Sequence, residues 1–415
     1  MSRFVPPSGP PRVLALAQLA NSLGDGAFYA CSALFFTRVV GLSATQVGLA
    51  LTLAWATGML AGVPLGYIAD RFGPRRAAIV LAVATAGTLT CFLVVRSFPL
   101  FLLVACLYAC CQGGLTSARG ALLAGLVDPA ERTRVRAHLQ ATLNAGLAVG
   151  AGLGGLALTF DTAGAYLAVF AMDAASFLAA ALVLRRLPEV PPAPPAPDAG
   201  PRLAVLRDRP YALITLLNAI MYLNMPLLSL GLPLWIVERT DAPKAMAAGL
   251  LIVNMLSVVL FQVRVAQRVT SLRAAARITG RAGWVLLAAC GVYALSAGRV
   301  GAVATVAILL TAAAVQVLGE MMQGAAAWEL GFGLAPAGRQ GQYQGFFGMG
   351  PQIARMLGPV VMTTLLIGWG TPGWLVLGAL FLAAGLGMAP ALRWAERSRA
   401  GAAASRPRTP ALVTV

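Results

Sequence analysis

The chain predicts an all-α integral membrane protein with twelve transmembrane helices in two six-helix, pseudo-symmetric bundles. Three observations carry that expectation. The 415 residues are 59% hydrophobic and only 11% charged, more apolar than a soluble protein can hide in its cores. Apolar runs of about 20 residues recur along the whole chain, each long enough to cross a bilayer. A polar break rich in Pro and Arg divides these runs six and six.

The runs place helices at 13–37, 46–69, 77–96, 99–123, 136–160, 163–184, 210–236, 246–267, 278–298, 301–326, 343–368 and 373–392. The first run is full length and has no small-residue cleavage site, so it reads as a spanning helix and not as a signal peptide. Residues 1–12 form an N-terminal tail, 13–184 the first bundle, 185–209 an extended linker, 210–392 the second bundle and 393–415 a disordered tail.

Charge fixes the expected orientation. With the N-terminus inside, most of the 31 basic residues fall on the cytoplasmic side, among them Arg132, Arg134, Arg136, Arg185, Arg186, Arg268, Arg273, Arg277, Arg339 and Arg393. Only Arg38, Arg96, Arg239, Lys244 and Arg299 fall outside. Both termini are therefore expected in the cytoplasm of a multi-pass cell-membrane protein. The net charge of +17 is a topology signal with some attraction to anionic lipid, and no nucleic-acid partner is expected.

The loop between helices 2 and 3 is the most specific segment. In GYIADRFGPRRAA, residues 66–78, an acid is flanked by arginines between two spanning runs. Such a cluster cannot sit in hydrocarbon and must occupy a short loop at the membrane face. Gly66, Asp70, Arg71, Gly73 and Arg75 resemble the helix 2/3 signature of the major facilitator superfamily, with Pro74 where that family has its first basic residue and Arg76 following. The equivalent loop in the second half, 263–270, retains only Gln267 and Arg268 in the places of Asp70 and Arg71. The resemblance implies a gating loop, with Asp70 facing the polarised N-terminus of helix 11 and nearby arginines.

Polar residues within spans form stripes at helical spacing. Helix 1 carries Gln18, Asn21, Asp25, Tyr29 and Ser32; helix 4 carries Gln112, Thr116 and Arg119; helix 7 carries Asn218, Tyr222, Met225 and Ser229; helix 10 carries Gln316, Glu320 and Gln323. The resemblance makes these the four cavity-lining helices, with Asn21, Asp25, Tyr29, Gln112, Asn218, Tyr222, Met225, Gln316, Glu320 and Gln323 as the substrate cavity. For any single Asn or Gln the plainer reading is interhelical hydrogen bonding. Asp25 and Glu320 are the proton-coupling candidates, because a buried acid is costly in lipid. Arg355, at similar depth to Glu320, is expected to be its ion-pair partner. Asp173 reads as a packing residue. This leaves Asp25 as the free cavity charge and predicts a preference for neutral or cationic substrates.

Gly146, Gly150, Gly154 and Gly155 in helix 5 let another helix approach closely. They also resemble the antiporter pattern of the superfamily, with Ala151 replacing its proline. In helix 4, Ala109 stands where the family has its proton-linked arginine. Arg119 either substitutes for that residue or closes the cytoplasmic end with Asp128 or Glu131, and the second is favoured.

The six cysteines, Cys31, Cys91, Cys106, Cys110, Cys111 and Cys290, lie in apolar spans as small packing residues. His138 is the lone histidine, so neither a metal site nor histidine catalysis is expected. The single Lys244 has no phosphate-binding loop around it, which excludes transport driven by the chain's own ATP hydrolysis. The expectation is a monomeric, cofactor-free transporter, not an enzyme, that exports a small amphipathic compound in exchange for protons and resembles the twelve-helix drug/proton antiporters. The alternatives are proton-coupled uptake and a non-transporting receptor or scaffold on the same fold.

Overall fold

The computed structural model describes residues 8–192, 203–243, 246–298 and 301–404. Lys244 and Arg299, residues 1–7, the central part of the linker and the end of the C-terminal tail lie outside the described residues.

Among the described residues twelve helical rods follow one another. The first six are α1 (Pro10–Leu34, extended by the π-turn Phe35–Val39), α2 (Ala44–Phe72), α3 (Pro74–Phe92), α4 (Phe98–Leu126), α5 (Arg132–Phe160) and α6 (Ala163–Leu184). The second six are α7 (Arg209–Met221, Asn224–Pro226 and Leu232–Arg239, with a π-turn at Leu227–Gly231), α8 (Met246–Ala266), α9 (Leu272–Ala294), α10 (Ala302–Gly333), α11 (Gln340–Phe347 and Met349–Met362, with a π-turn at Thr363–Gly368) and α12 (Thr371–Ala404). Among the described residues, nine helices are individually long and apolar enough to span a membrane. The other three, α1, α9 and α11, carry the polar runs around Asp25, Arg273 to Arg281 and Gln340 to Arg355.

Local chemistry sets the helix ends. Ser43 and Gln46 form a reciprocal capping box at the start of α2. Between α2 and α3 only Gly73 intervenes, at φ 95°, a backbone shape that suits glycine. Pro74 then opens α3 at a position where its missing N–H costs nothing. That accounts for a proline in place of the family's basic residue.

Three ends depart most from the apolar runs. Helix α10 continues to Gly333, α9 begins at Leu272, and α12 runs on to Ala404. The expected disorder of 393–415 is therefore corrected for 393–404. Arg399 there approaches Asp208 at 3.6 Å, and Glu396 meets Arg273 at 3.4 Å. The linker is also more packed than expected where it is described. A short 3-10 turn at Ala204–Arg207 buries Val205, Leu187 is buried, and Glu189 pairs with Arg75 and Arg76 at 3.4 and 3.3 Å.

Two separate cores match the two bundles. One runs through residues 14–187 and adds Phe332; the other draws on residues 221–384. A third cluster joins Val63 and Ala137 of the first half to Val205 of the linker and to Tyr211, Tyr343 and Met388 of the second half. Of the cysteines, Cys31 and Cys290 are buried and Cys91 is exposed.

Candidate functional site

Inside the first bundle, α1, α4 and α6 converge on Asp25, which is 8% exposed. Tyr108 and Gln112, one turn apart on α4, donate to its Oδ1 at 3.5 and 3.4 Å, and Gln112 also donates to Tyr108 at 2.9 Å. One turn back along α1, Asn21 Oδ1 accepts from Arg119 at 2.9 Å, and the Arg119 charge acts on Asp25. Arg119 therefore belongs to the Asp25 cluster. The expected closure with Asp128 or Glu131 is not formed: Asp128 caps Ala130 at 2.9 Å, and Glu131 pairs with Arg134 at 2.6 Å.

Asp173 on α6 faces the same region. It is fully buried, its Oδ1 accepts from Ser176 on its own helix at 3.2 Å, and its Oδ2 has no partner. A Cβ at Gly24 would collide with it, which puts it directly against the α1 turn that carries Asp25. It is less peripheral than expected.

The glycines of α5 explain how α1 is held. A Cβ at Gly146 would strike Ser22, at Gly150 the Leu23 carbonyl, and at Gly154 the Ala27 carbonyl oxygen 2.8 Å away. These three make the close α1/α5 contact. Gly155 meets nothing within 4 Å and is not part of it.

The second bundle treats its polar residues differently. Gln323 donates to Asn218 at 2.9 Å, while Tyr293 donates to Gln316 at 2.8 Å and Gln316 to the Asn224 carbonyl at 3.4 Å. Asn218, Gln316 and Gln323 are fully buried and so tie helices together, as does Asn21; they do not face an open cavity. Glu320 accepts from Asn254 of α8 at 2.7 Å. The expected Glu320–Arg355 pair is not formed. The Arg355 guanidinium instead lies 5.8 Å from the ring centroid of Trp55 on α2, and among the described residues no carboxylate reaches it within 4 Å. Equal depth does not imply facing sides: Glu320 points towards α8, and Arg355 towards the other bundle. Tyr29, 50% exposed, and half-buried Tyr222 both feel the Arg355 charge. Met225 of α7 is half-buried, and Trp328 of α10 is half-buried against two of the cores.

At the end bearing the α2/α3 loop, the bundles are sealed. Asp70 accepts from the backbone N–H of Gly341 at 2.7 Å and of Gln342 at 3.0 Å, at the start of α11. A carboxylate there meets unsatisfied helix N–H groups and the positive end of the dipole. Gly66 and Gly341, and again Gly62 and Gly345, bring the α2 and α11 backbones into direct contact. Thr133 of α5 adds a 2.6 Å hydrogen bond to Glu329 of α10. The loop arginines do not serve Asp70: Arg75 and Arg76 turn to Glu189, Arg75 also to the Arg185 carbonyl, and Arg71 to Tyr67 at 3.5 Å. Behind this seal lies a cavity of ≈ 20 Å³ bordered by Gln18, Arg119, Arg136 and Phe332, room for about one water.

Sequence reasoning missed Tyr108, Asn254, Trp55 and Tyr293. Tyr108 was detectable as the residue one turn before Gln112 on its stripe; the others carry no signal without the packing.

The family description Major Facilitator Superfamily matches residues 14–359. A relative in Escherichia coli (strain K12), the uncharacterized MFS-type transporter YdeE, is 24% identical over 143 residues, 34% of this chain and 36% of that protein's length. Solved structures share the fold at low identity. A bacterial homologue of the iron transporter ferroportin, in an outward-facing state, superposes at TM-score 0.74 with 15% identity, covering 93% of this chain and 99% of that one. The human organic anion transporter MFSD10 gives 0.69, 16%, 92% and 100%, and the E. coli fucose:proton symporter FucP gives 0.70, 14%, 93% and 98%.

Proposed function

Since the chain belongs to the Major Facilitator Superfamily and is a multi-pass membrane transporter, we propose that it works by alternating access as a proton-coupled exporter of a small amphipathic compound. The observation that carries the coupling is Asp25: a carboxyl group in a membrane span, nearly buried, held by Tyr108 and Gln112 and influenced by Arg119. An acid kept there at such cost is suited to taking and releasing a proton. Glu320, with its single amide donor, is the lesser candidate. The glycine seam of α5, which resembles the antiporter pattern, supports export.

We assign the basic end, with both termini, to the cytoplasm of the cell membrane. On that assignment the conformation is closed to the cytoplasm, and Asp70 with the α11 N-terminus is the latch. The structural neighbours support the fold alone and leave direction to experiment.

The test uses inverted membrane vesicles with a pH-reporting dye and a panel of amphipathic compounds. Export predicts proton release from the vesicle lumen on compound addition, lost in Asp25→Asn. Proton movement with compound in the same direction would mean uptake by symport. No compound-dependent proton movement, with no compound flux, would leave a receptor or scaffold.

A further inference from the structure

We propose that Arg355, set against Trp55 in the cleft between the bundles, anchors the carboxylate of an amphipathic organic anion. The inference rests on the transport reading above for its place in a cycle, and it reverses the substrate charge that the sequence favours.

Arg355 lies on the α11 face that meets α2. Along α11 the residues Gly341 and Gly345 contact Gly66 and Gly62 of α2; further along the same pair of helices, the two diverge enough to admit Arg355 and Trp55 between them. Trp55 belongs to the first bundle and Arg355 to the second, so the pair lies where the two bundles meet. Its side chain is exposed. A charge at this depth is retained where it faces a water-filled path or a partner, and no carboxylate among the described residues is that partner.

The other charges of the cleft are committed. Asp25 is bonded to Tyr108 and Gln112 and lies within the influence of Arg119, and Glu320 is bonded to Asn254. The accessible charge is thus positive. A guanidinium presents two parallel N–H donors that match a carboxylate. Trp55 supplies an apolar face beside it for an aromatic or alkyl body. An amine would meet Arg355 as a like charge.

The test is calorimetric binding to the full-length protein in lipid nanodiscs. Probes are size-matched sets of acetate, acetamide and ethylammonium derivatives on phenyl, naphthyl and biphenyl bodies. The acetate of at least one set should bind tenfold or more tighter than its amide and ethylammonium analogues. Arg355→Gln should erase that preference, Arg355→Lys should restore part of it, and Trp55→Leu should weaken all members while keeping their order. Tighter or equal binding of the neutral or cationic member in every set, or no binding by any member, overturns the proposal in the wild-type protein alone, whether or not the variants fold. Flux in proteoliposomes separates the two readings. An acetate bound through Arg355 but never carried across keeps the site and defeats transport; carriage of the ethylammonium member alone keeps transport and defeats the site.

Discussion

The two bundles spend their interior polarity in different ways. In the first, a carboxyl, a guanidinium, a phenol and two amides are linked around Asp25 on continuous helices. In the second, neutral pairs such as Asn218–Gln323 and Tyr293–Gln316 dominate, on helices broken at α7 and α11 near Pro226 and Pro359. Neutral amide pairs hold helices together at modest cost, whereas a buried charge brings a large desolvation cost and gains the ability to change protonation. The first bundle thus links its buried charges into one cluster, whereas Glu320 and Arg355 of the second stand apart from each other.

Four predictions bear on that contrast. The largest effect is expected from Arg119→Leu, which strips the charge beside Asp25 and should lower stability by about 3 kcal/mol. Melting of the purified variant checks it. The matching change in the second bundle, Gln323→Leu, removes one neutral bond and should cost about 1 to 2 kcal/mol; equal losses would erase the distinction between the bundles. Next comes Asp25→Asn, expected to reduce uphill transport by roughly a hundredfold, about 2.7 kcal/mol, while Glu320→Gln stays within about threefold. Vesicles loaded against a gradient report both, and a larger loss at Glu320 would move the proton chemistry to the second bundle.

Third, Asp70→Asn keeps one acceptor for the α11 N-terminus but loses the charge and the second acceptor. We predict about a tenfold drop in turnover, with membrane insertion intact, from a loss of roughly 1.5 kcal/mol. Cysteine-accessibility labelling at the sealed end should rise in parallel, and unchanged labelling would show that the latch lies elsewhere. The smallest effect is expected at Asp173, whose Oδ2 already lacks a partner. Asp173→Asn should shift stability by no more than about 0.5 kcal/mol, measured by the same melting assay; a large loss would give α6 a charge role that the contrast assigns to α1 and α4.

The number of helices and most of their ends were legible because a bilayer demands long apolar runs. Where a helix leaves the hydrocarbon that demand stops, which is why α10 beyond Ala326 and α12 beyond Leu392 escaped the reading. Asp70 was legible because an acid among arginines admits few places in a membrane protein. Its partners were only half legible: the α11 N-terminus follows from the dipole argument, but the turn of Arg75 and Arg76 towards Glu189 depends on how the linker folds back. The Glu320–Arg355 expectation failed for a related reason. Depth along a helix follows from counting residues, whereas azimuth depends on the crossing of neighbours, and Asn254 and Trp55 were the side chains that the azimuth selected.

Consider the seam where Gly62 and Gly66 meet Gly345 and Gly341. At these four positions backbone meets backbone, so there α2 can part from α11 without withdrawing a side chain, although Val63 packs with Tyr343 and Phe347 nearby. The polar contacts across it at this end are the two Asp70 bonds to Gly341 and Gln342. If Asp70 is the latch proposed above, the joint would work as a latch on smooth rails, its speed tuned by one carboxylate while the bare backbones keep its alignment. A bulky residue at either glycine pair would do the opposite, wedging the rails apart and leaving the latch intact but out of reach.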